Sequence, residues 1–157
     1  MTNTDILRRL RYTFNFNDAQ MIELFAHGNL EATRGTISEW LKKEEETTHP
    51  PINDEQLAHF LNGFINKNRG KKEGVELLAE KRLNNNIIFR KLKIALNLQD
   101  EDILKLLELV DFKISKHELS AFFRNANHEK YRVCKDQILR NFLHGLQIKY
   151  RDSKDNG

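Results

Sequence analysis

The sequence predicts an all-α protein made by tandem duplication of a four-helix unit, with about 67 residues per copy at an offset of 82. Three observations carry that expectation. First, sliding the chain against itself by 82 positions aligns 3–69 with 85–151 without a gap. That alignment brings together 15 identical pairs, among them Asn3/Asn85, Arg8/Arg90, Leu10/Leu92, Asn15/Asn97, Asp18/Asp100, Leu24/Leu106, Asp54/Asp136, Phe60/Phe142, Gly63/Gly145 and Lys67/Lys149. Second, the apolar residues of each copy recur at the three- and four-residue spacing of a helix face. Third, 31% charged and 39% apolar residues with seven Gly and two Pro is the composition of a soluble helical protein.

The domain reading is a first repeat over 1–69, a connector over 70–84, a second repeat over 85–151 and a flexible tail over 152–157. The two repeats are expected to pack as one body with pseudo-twofold symmetry. Within a copy the first helix runs from about Thr4 to Phe14, its partner from about Asn86 to Leu96, and Asn15 or Asn97 ends it in the left-handed conformation. Asp18 and Asp100 then stand where an N-cap is needed. The second helices follow through Ile22, Leu24 and Phe25, or Ile103, Leu106 and Leu107, and Gly28 stops the first of them.

The third helices open at Thr33 and Ser115, and Ser115 with Glu118 forms a capping box. Their buried stripes are Ile37, Trp40 and Leu41, or Leu119, Phe122 and Phe123. A variable polar loop follows, EEETTHPP in one copy and ANHEKYRV in the other. Asp54 and Asp136 are expected to cap the fourth helices, whose apolar faces hold Leu57, Phe60, Leu61 and Phe64, or Leu139, Phe142, Leu143 and Leu146. Gly63 and Gly145 lie inside these helices, where glycine costs about 1 kcal/mol relative to alanine. A penalty kept in both copies points to close approach of another helix backbone, with the Phe60 and Phe142 ridges meeting near the pseudo-twofold axis. The connector's VELLA centre is expected to form a helical turn.

The run EKRLNNNIIFRKLKIALNLQDEDIL over 80–104, the later SKHELSAFFR, and the FLNG and FLHG helices together resemble the YehS-like family of bacterial proteins, built from two copies of a domain of unknown function. The resemblance spans nearly the whole chain. It implies an all-helical duplicated protein and, since that family carries no established activity, it transfers no functional residue.

Charge is uneven along the chain. Residues 1–69 carry 8 Lys/Arg against 10 Asp/Glu, whereas residues 85–151 carry 13 against 8, so an anionic partner prefers the second copy. The single cysteine, Cys134, permits no intrachain disulfide. The N-terminal MTNTDILRRLRYTF lacks the apolar core of a secretory signal, and no run approaches the roughly 18 apolar residues of a membrane span, which predicts a cytoplasmic address.

No catalytic, nucleotide or metal signature stands out, so neither an enzyme nor a cofactor is predicted. His117, His128 and Cys134 match no ligand spacing. The sharper reading is nucleic-acid binding. DAQMIELFAHGNLEATRGTISEWLKK, residues 18–43, is similar to a repressor-type helix-turn-helix, whose second helix sets its N-terminal side chains against base edges. Arg34, Thr36 and Glu39, or Lys116, His117 and Ala121, would face outwards. Arg8, Arg9 and Arg11, matched by Arg90, Lys91 and Lys93, are a further polyanion candidate, although 8 and 11 share a helix face while 9 turns away, which argues against one continuous phosphate track.

The residues assigned to DNA or RNA are Arg34, Arg90, Lys93, Lys116, His117 and Arg124. Against that reading, the turn is longer than usual, the first copy is acidic, and Glu39 and Glu44 to Glu46 repel phosphate. The alternative partner is another protein, whose amphipathic helix fills the groove between the repeats.

Overall fold

The computed structural model describes residues 1–71 and 76–153. Eight α-helices and no strand occur among them, and the chain divides into two compact units, Met1–Leu83 and Asn84–Gly157. Unit 1 holds α1 (Asn3–Phe14), α2 (Asp18–His27), α3 (Arg34–Trp40) and α4 (Asp54–Arg69), with a 3₁₀ turn at Glu44–Glu46. Unit 2 holds α5 (Asn85–Ala95), α6 (Asp100–Glu108), α7 (Lys116–Phe122) and α8 (Asp136–Gln147), prolonged by a π-helical turn at Ile148–Asp152. The 82-residue offset therefore maps helix onto helix.

The helix ends follow side-chain chemistry, with two corrections. Asn15 and Asn97 close α1 and α5 at φ 54° and 52°, as their shared identity suggests. Thr33 and Ser115 cap α3 and α7, and Ser115 completes its box with Glu118. Asp18 and Asp100, however, are not N-caps. Asn17 and Gln99 take that place and the aspartates sit one residue inside, facing a cation on the preceding helix: Arg11 to Asp18 is 3.4 Å and Lys93 to Asp100 is 2.8 Å.

Asp54 and Asp136 are likewise displaced from the cap, which is Asn53 for α4 and Lys135 for α8. Their carboxylates accept from Asn3 at 2.8 Å and Asn85 at 2.7 Å. A cap needs only the nearest backbone N–H groups, so an acid one residue further in is free to bridge to another helix.

Each core forms where the four apolar faces meet. In unit 1, Leu7, Leu10, Met21, Leu24, Phe25, Leu57 and Phe60 are fully buried, and the Phe25 ring lies 5.1 Å from Phe60 and 5.4 Å from Trp40. Met21 and not Ile22 completes the α2 face, since Ile22 is only half-buried. Unit 2 moves the large ring to its first helix: Phe89 stands at the position of Leu7 while Leu107 stands at that of Phe25, and Phe89 packs 4.5 Å from Phe142. Each copy thus keeps one Phe and one Leu between these two positions, so their summed volume is unchanged, the kind of core change most easily tolerated.

Gly63 and Gly145 answer to a backbone, and the backbone is that of the second helix in their own unit. A Cβ on Gly63 would stand 1.7 Å from the Leu24 carbonyl oxygen, and one on Gly145 would stand 2.4 Å from that of Leu106. Gly28 is part of the same crossing in unit 1, where a Cβ would meet the His59 oxygen at 1.7 Å. Each of the two glycines therefore serves a crossing of the second and fourth helices within its own unit. Phe60 and Phe142 are each buried in the core of their own unit.

The connector also differs from its reading. Residues 76–83 carry no helix and lie against unit 1, where Asn62 donates to the Leu78 carbonyl at 3.2 Å and the Leu83 N–H donates to Asp54 at 2.8 Å. These bonds hold the chain extended along α4, so the described part of VELLA gains no helical turn; Val75 falls outside the described residues. At the other end the π turn includes Asp152, so helical structure passes the expected start of the tail; 154–157 fall outside the described residues.

Candidate functional site

Of the residues assigned to nucleic acid, Arg34 lies in unit 1 and Arg90, Lys93, Lys116, His117 and Arg124 lie in unit 2. Arg34 and Lys116, in the first turns of α3 and α7, each pair with the first turn of the helix before: Arg34 to Asp18 at 2.9 Å, Lys116 to Glu101 at 2.7 Å. The Glu101 contact pushes the Lys116 ammonium above its ordinary pKa, and Lys116 in turn holds the Glu101 carboxyl below the usual range. Lys93 is committed to Asp100 and lies 4.3 Å from the centre of the Phe123 ring. Arg90 and His117 are exposed, and Arg124 is half-buried just beyond Phe123.

Three residues of the second basic set are engaged within the fold. The Arg8 guanidinium donates to the Leu41 carbonyl at the end of α3, Arg11 faces Asp18, and Lys91 is buried. Cations here meet helix C-terminal carbonyls and first-turn acids, which is ordinary helix electrostatics. Ala121, expected to face outwards, is buried at 7% exposure because its carbonyl and α7 are covered by the following loop, where Arg132 N–H donates to Ala121 at 3.2 Å.

Cys134 is buried, and burial pushes its thiol up to about 12. No group of three His, Cys, Asp or Glu gathers for a metal among the described residues. No described helix is long and apolar enough to cross a membrane.

A concave surface lies elsewhere among the described residues, on unit 1 between α3, the 41–53 loop and the start of α1. Three adjoining hollows of about 430, 560 and 600 Å³ all share Glu39 and His49. The first runs along Glu45 to Thr48, the second is walled by Trp40, Pro50 and Pro51 with Thr36 and Gln56, and the third reaches Met1 and Thr2. Together they make a cleft that continues from the start of α4 to the chain's first residue.

Local folding places Glu39 at the middle of this cleft. It occupies the last turn of α3, next to the buried Trp40, and its side chain is 25% exposed. Lys42 donates to one carboxylate oxygen at 2.8 Å and the Thr47 hydroxyl to the other at 2.5 Å, while His49 stands 4.0 Å away. Those two hydrogen bonds, Lys42 first, hold the Glu39 carboxyl below its usual range, so it is charged at neutral pH. Pro50 and Pro51 hold the loop extended over the cleft through their fixed φ.

Sequence reasoning passed over this place. It took Glu39 as a repulsive residue on a recognition helix and the loop as variable polar filler. The available signal was asymmetry between the copies: Glu39, Trp40, His49 and Pro50 align with Ala121, Phe122, Tyr131 and Arg132. A comparison that seeks identical pairs discards such positions.

A family model described as Protein of unknown function (DUF1456) matches the chain twice, over residues 3–70 and 85–152. The chain is also similar to the Uncharacterized protein YehS of Escherichia coli (strain K12), with 41% identity over 155 residues, covering 98% of this chain and 99% of that protein. No solved structure matches it.

Proposed function

The chain belongs to this DUF1456 family of unknown function, and from that premise we propose that it acts by binding, without catalysis, and that its partner is a polypeptide laid in the cleft of unit 1. The observation that carries this reading is the meeting of three hollows at Glu39 and His49. A cleft of that extent suits an extended segment better than one compact small molecule, and its Trp40 and Pro walls offer apolar surface beside polar groups that fix orientation.

The test is selection of displayed random peptides against the full chain, followed by titration of the selected peptides with Trp40 fluorescence as the readout. Trp40 is the single tryptophan of the sequence, so a change in its emission reports on the cleft wall. Peptides that bind and shift Trp40 emission support the reading; peptides that leave Trp40 unmoved, or no enrichment, overturn it.

A second reading, nucleic-acid binding by unit 2, is favoured by the net +5 of residues 85–151, from 13 Lys/Arg less 8 Asp/Glu, and by the exposure of Arg90 and His117. Anisotropy with duplex DNA, single-stranded DNA and structured RNA at about 50 and 200 mM salt tests it. Six or more phosphate contacts weaken binding by about 10³ over that range.

A further inference from the structure

Resting on the polypeptide reading, we propose that the residue received at the centre of the cleft is basic: a lysine or arginine of the partner, its aliphatic stem against Trp40 and the Pro50–Pro51 wall and its cationic head on the Glu39 carboxylate. Glu39 accepts one hydrogen bond on each oxygen, from Lys42 and Thr47. A carboxylate oxygen has two acceptor sites, so capacity for a further donor remains on each.

The surroundings carry the sign of the guest. Asp5, Glu44, Glu45 and Glu46 line the same hollows against Lys42 and Lys43. An acidic guest is repelled, and a neutral one takes solvent from a charged Glu39 without replacing the lost hydrogen bonds. A basic guest answers both, and its methylene stem covers the apolar wall as long cationic side chains do.

Lys42 is then the internal stand-in for the guest. It reaches Glu39 from three residues away, and its side chain is 42% exposed. Such a pair is weak and exchanges readily with an incoming cation. Unit 2 has no equivalent site: Ala121 removes the carboxylate, and Arg132 puts a cation where unit 1 has Pro50.

The experiment uses the full chain with any tag at the C-terminal end, because Met1 lines the cleft. Decalysine, decaarginine, decaglutamine and decaglutamate, each end-labelled, are titrated by anisotropy and by Trp40 emission. The basic peptides are expected to bind and to shift Trp40. Glu39→Gln should weaken them by about tenfold or more, the loss of a charge-assisted bond. Glu108→Gln, an exposed α6 acid of unit 2, should change affinity less than twofold, and Lys42→Met should raise it more than Lys43→Met does. Far-UV circular dichroism and urea midpoints establish that each variant is folded.

Equal losses for Glu39→Gln and Glu108→Gln, or no gain specific to Lys42→Met, overturn the proposal in favour of unspecific charge attraction. Decaglutamine binding with the same Trp40 shift as decalysine overturns the basic side chain while leaving the polypeptide reading standing. If no peptide moves Trp40 at any salt, the polypeptide reading falls and the inference with it.

Discussion

Asn85 donates its side-chain amide to the Asp136 carboxylate at 2.7 Å, tying the first turn of α5 to the first turn of α8, and Asn3 does the same to Asp54 at 2.8 Å in unit 1. The same two amides also reach the carbonyls of Cys134 and Ile52, the buried residues that lead into α8 and α4. Both residues of the pair are identical between the copies. The duplication has kept a strap, one that joins the first helix of each unit to its last.

The strap sets a pH dependence. The Asn85 hydrogen bond is the first cause holding the Asp136 carboxyl below its ordinary value. A depressed folded pKa contributes stability that is present above the unfolded value, about 3.9, and is lost as pH falls through the folded value. Asn85→Leu should therefore lower the urea midpoint at pH 6 and lower it less at pH 3. Equal losses at both pH values would show that Asp136 plays no part.

The helix crossings predict an order among glycine variants. Gly63→Ala places a methyl into the Leu24 carbonyl and should cost about 3 kcal/mol, with Gly145→Ala, whose Cβ has more room, costing less. Gly35→Ala is expected to go the other way. Gly35 lies within α3 with only the Thr33 hydroxyl near, at 3.9 Å, so alanine should stabilise by about 0.5–1 kcal/mol. Urea unfolding of the three variants checks both sign and rank.

Asn86 is a buried amide that bonds to backbone: it donates to the Phe122 carbonyl at 3.0 Å and the Arg132 carbonyl at 2.8 Å and accepts from Cys134 N–H at 2.9 Å. Asn86→Ala strands those groups away from water and should cost about 2–3 kcal/mol. Hydrogen exchange should quicken at the Cys134 amide before it does in the core of α8.

Cys134 gives a second pH window of opposite sense. Its thiol is pushed up to about 12 by burial, against an ordinary value of 9.0. A raised folded pKa leaves stability whole below the unfolded value and removes it as pH rises through the folded one. Stability should fall between pH 9.0 and about 12, and Cys134→Ser should flatten that fall. At about pH 7.5, roughly 1 unit below an unperturbed thiol's pKa, iodoacetamide should label the thiol only after urea unfolds the protein.

Much of the fold was legible because its signals are local. Asn15 and Asn97 end helices through their own tolerance of the left-handed region, and Ser115 caps α7 through a hydroxyl three residues from the N–H that it meets. Gly63 and Gly145 announced a close backbone through a penalty that local propensity alone cannot justify. What they did not announce was its identity, because a missing Cβ is silent about direction. Asp18, Asp54 and their counterparts misled for a related reason: an acid near a helix start reads as a cap, whereas its partner, Arg11 or Asn3, belongs to another helix.

The sequence by itself determined that two copies of one helical unit follow each other, since apolar periodicity, caps and repeated residues are properties of neighbours along the chain. Only the tertiary structure decided what the charged side chains do. Arg34 and Lys116 meet first-turn acids, Lys91 is buried, and Glu39 is gathered with Trp40, His49 and Pro50 around a cleft. Charge acts through space and is set by distance and burial, and neither is written in the spacing of residues along a chain.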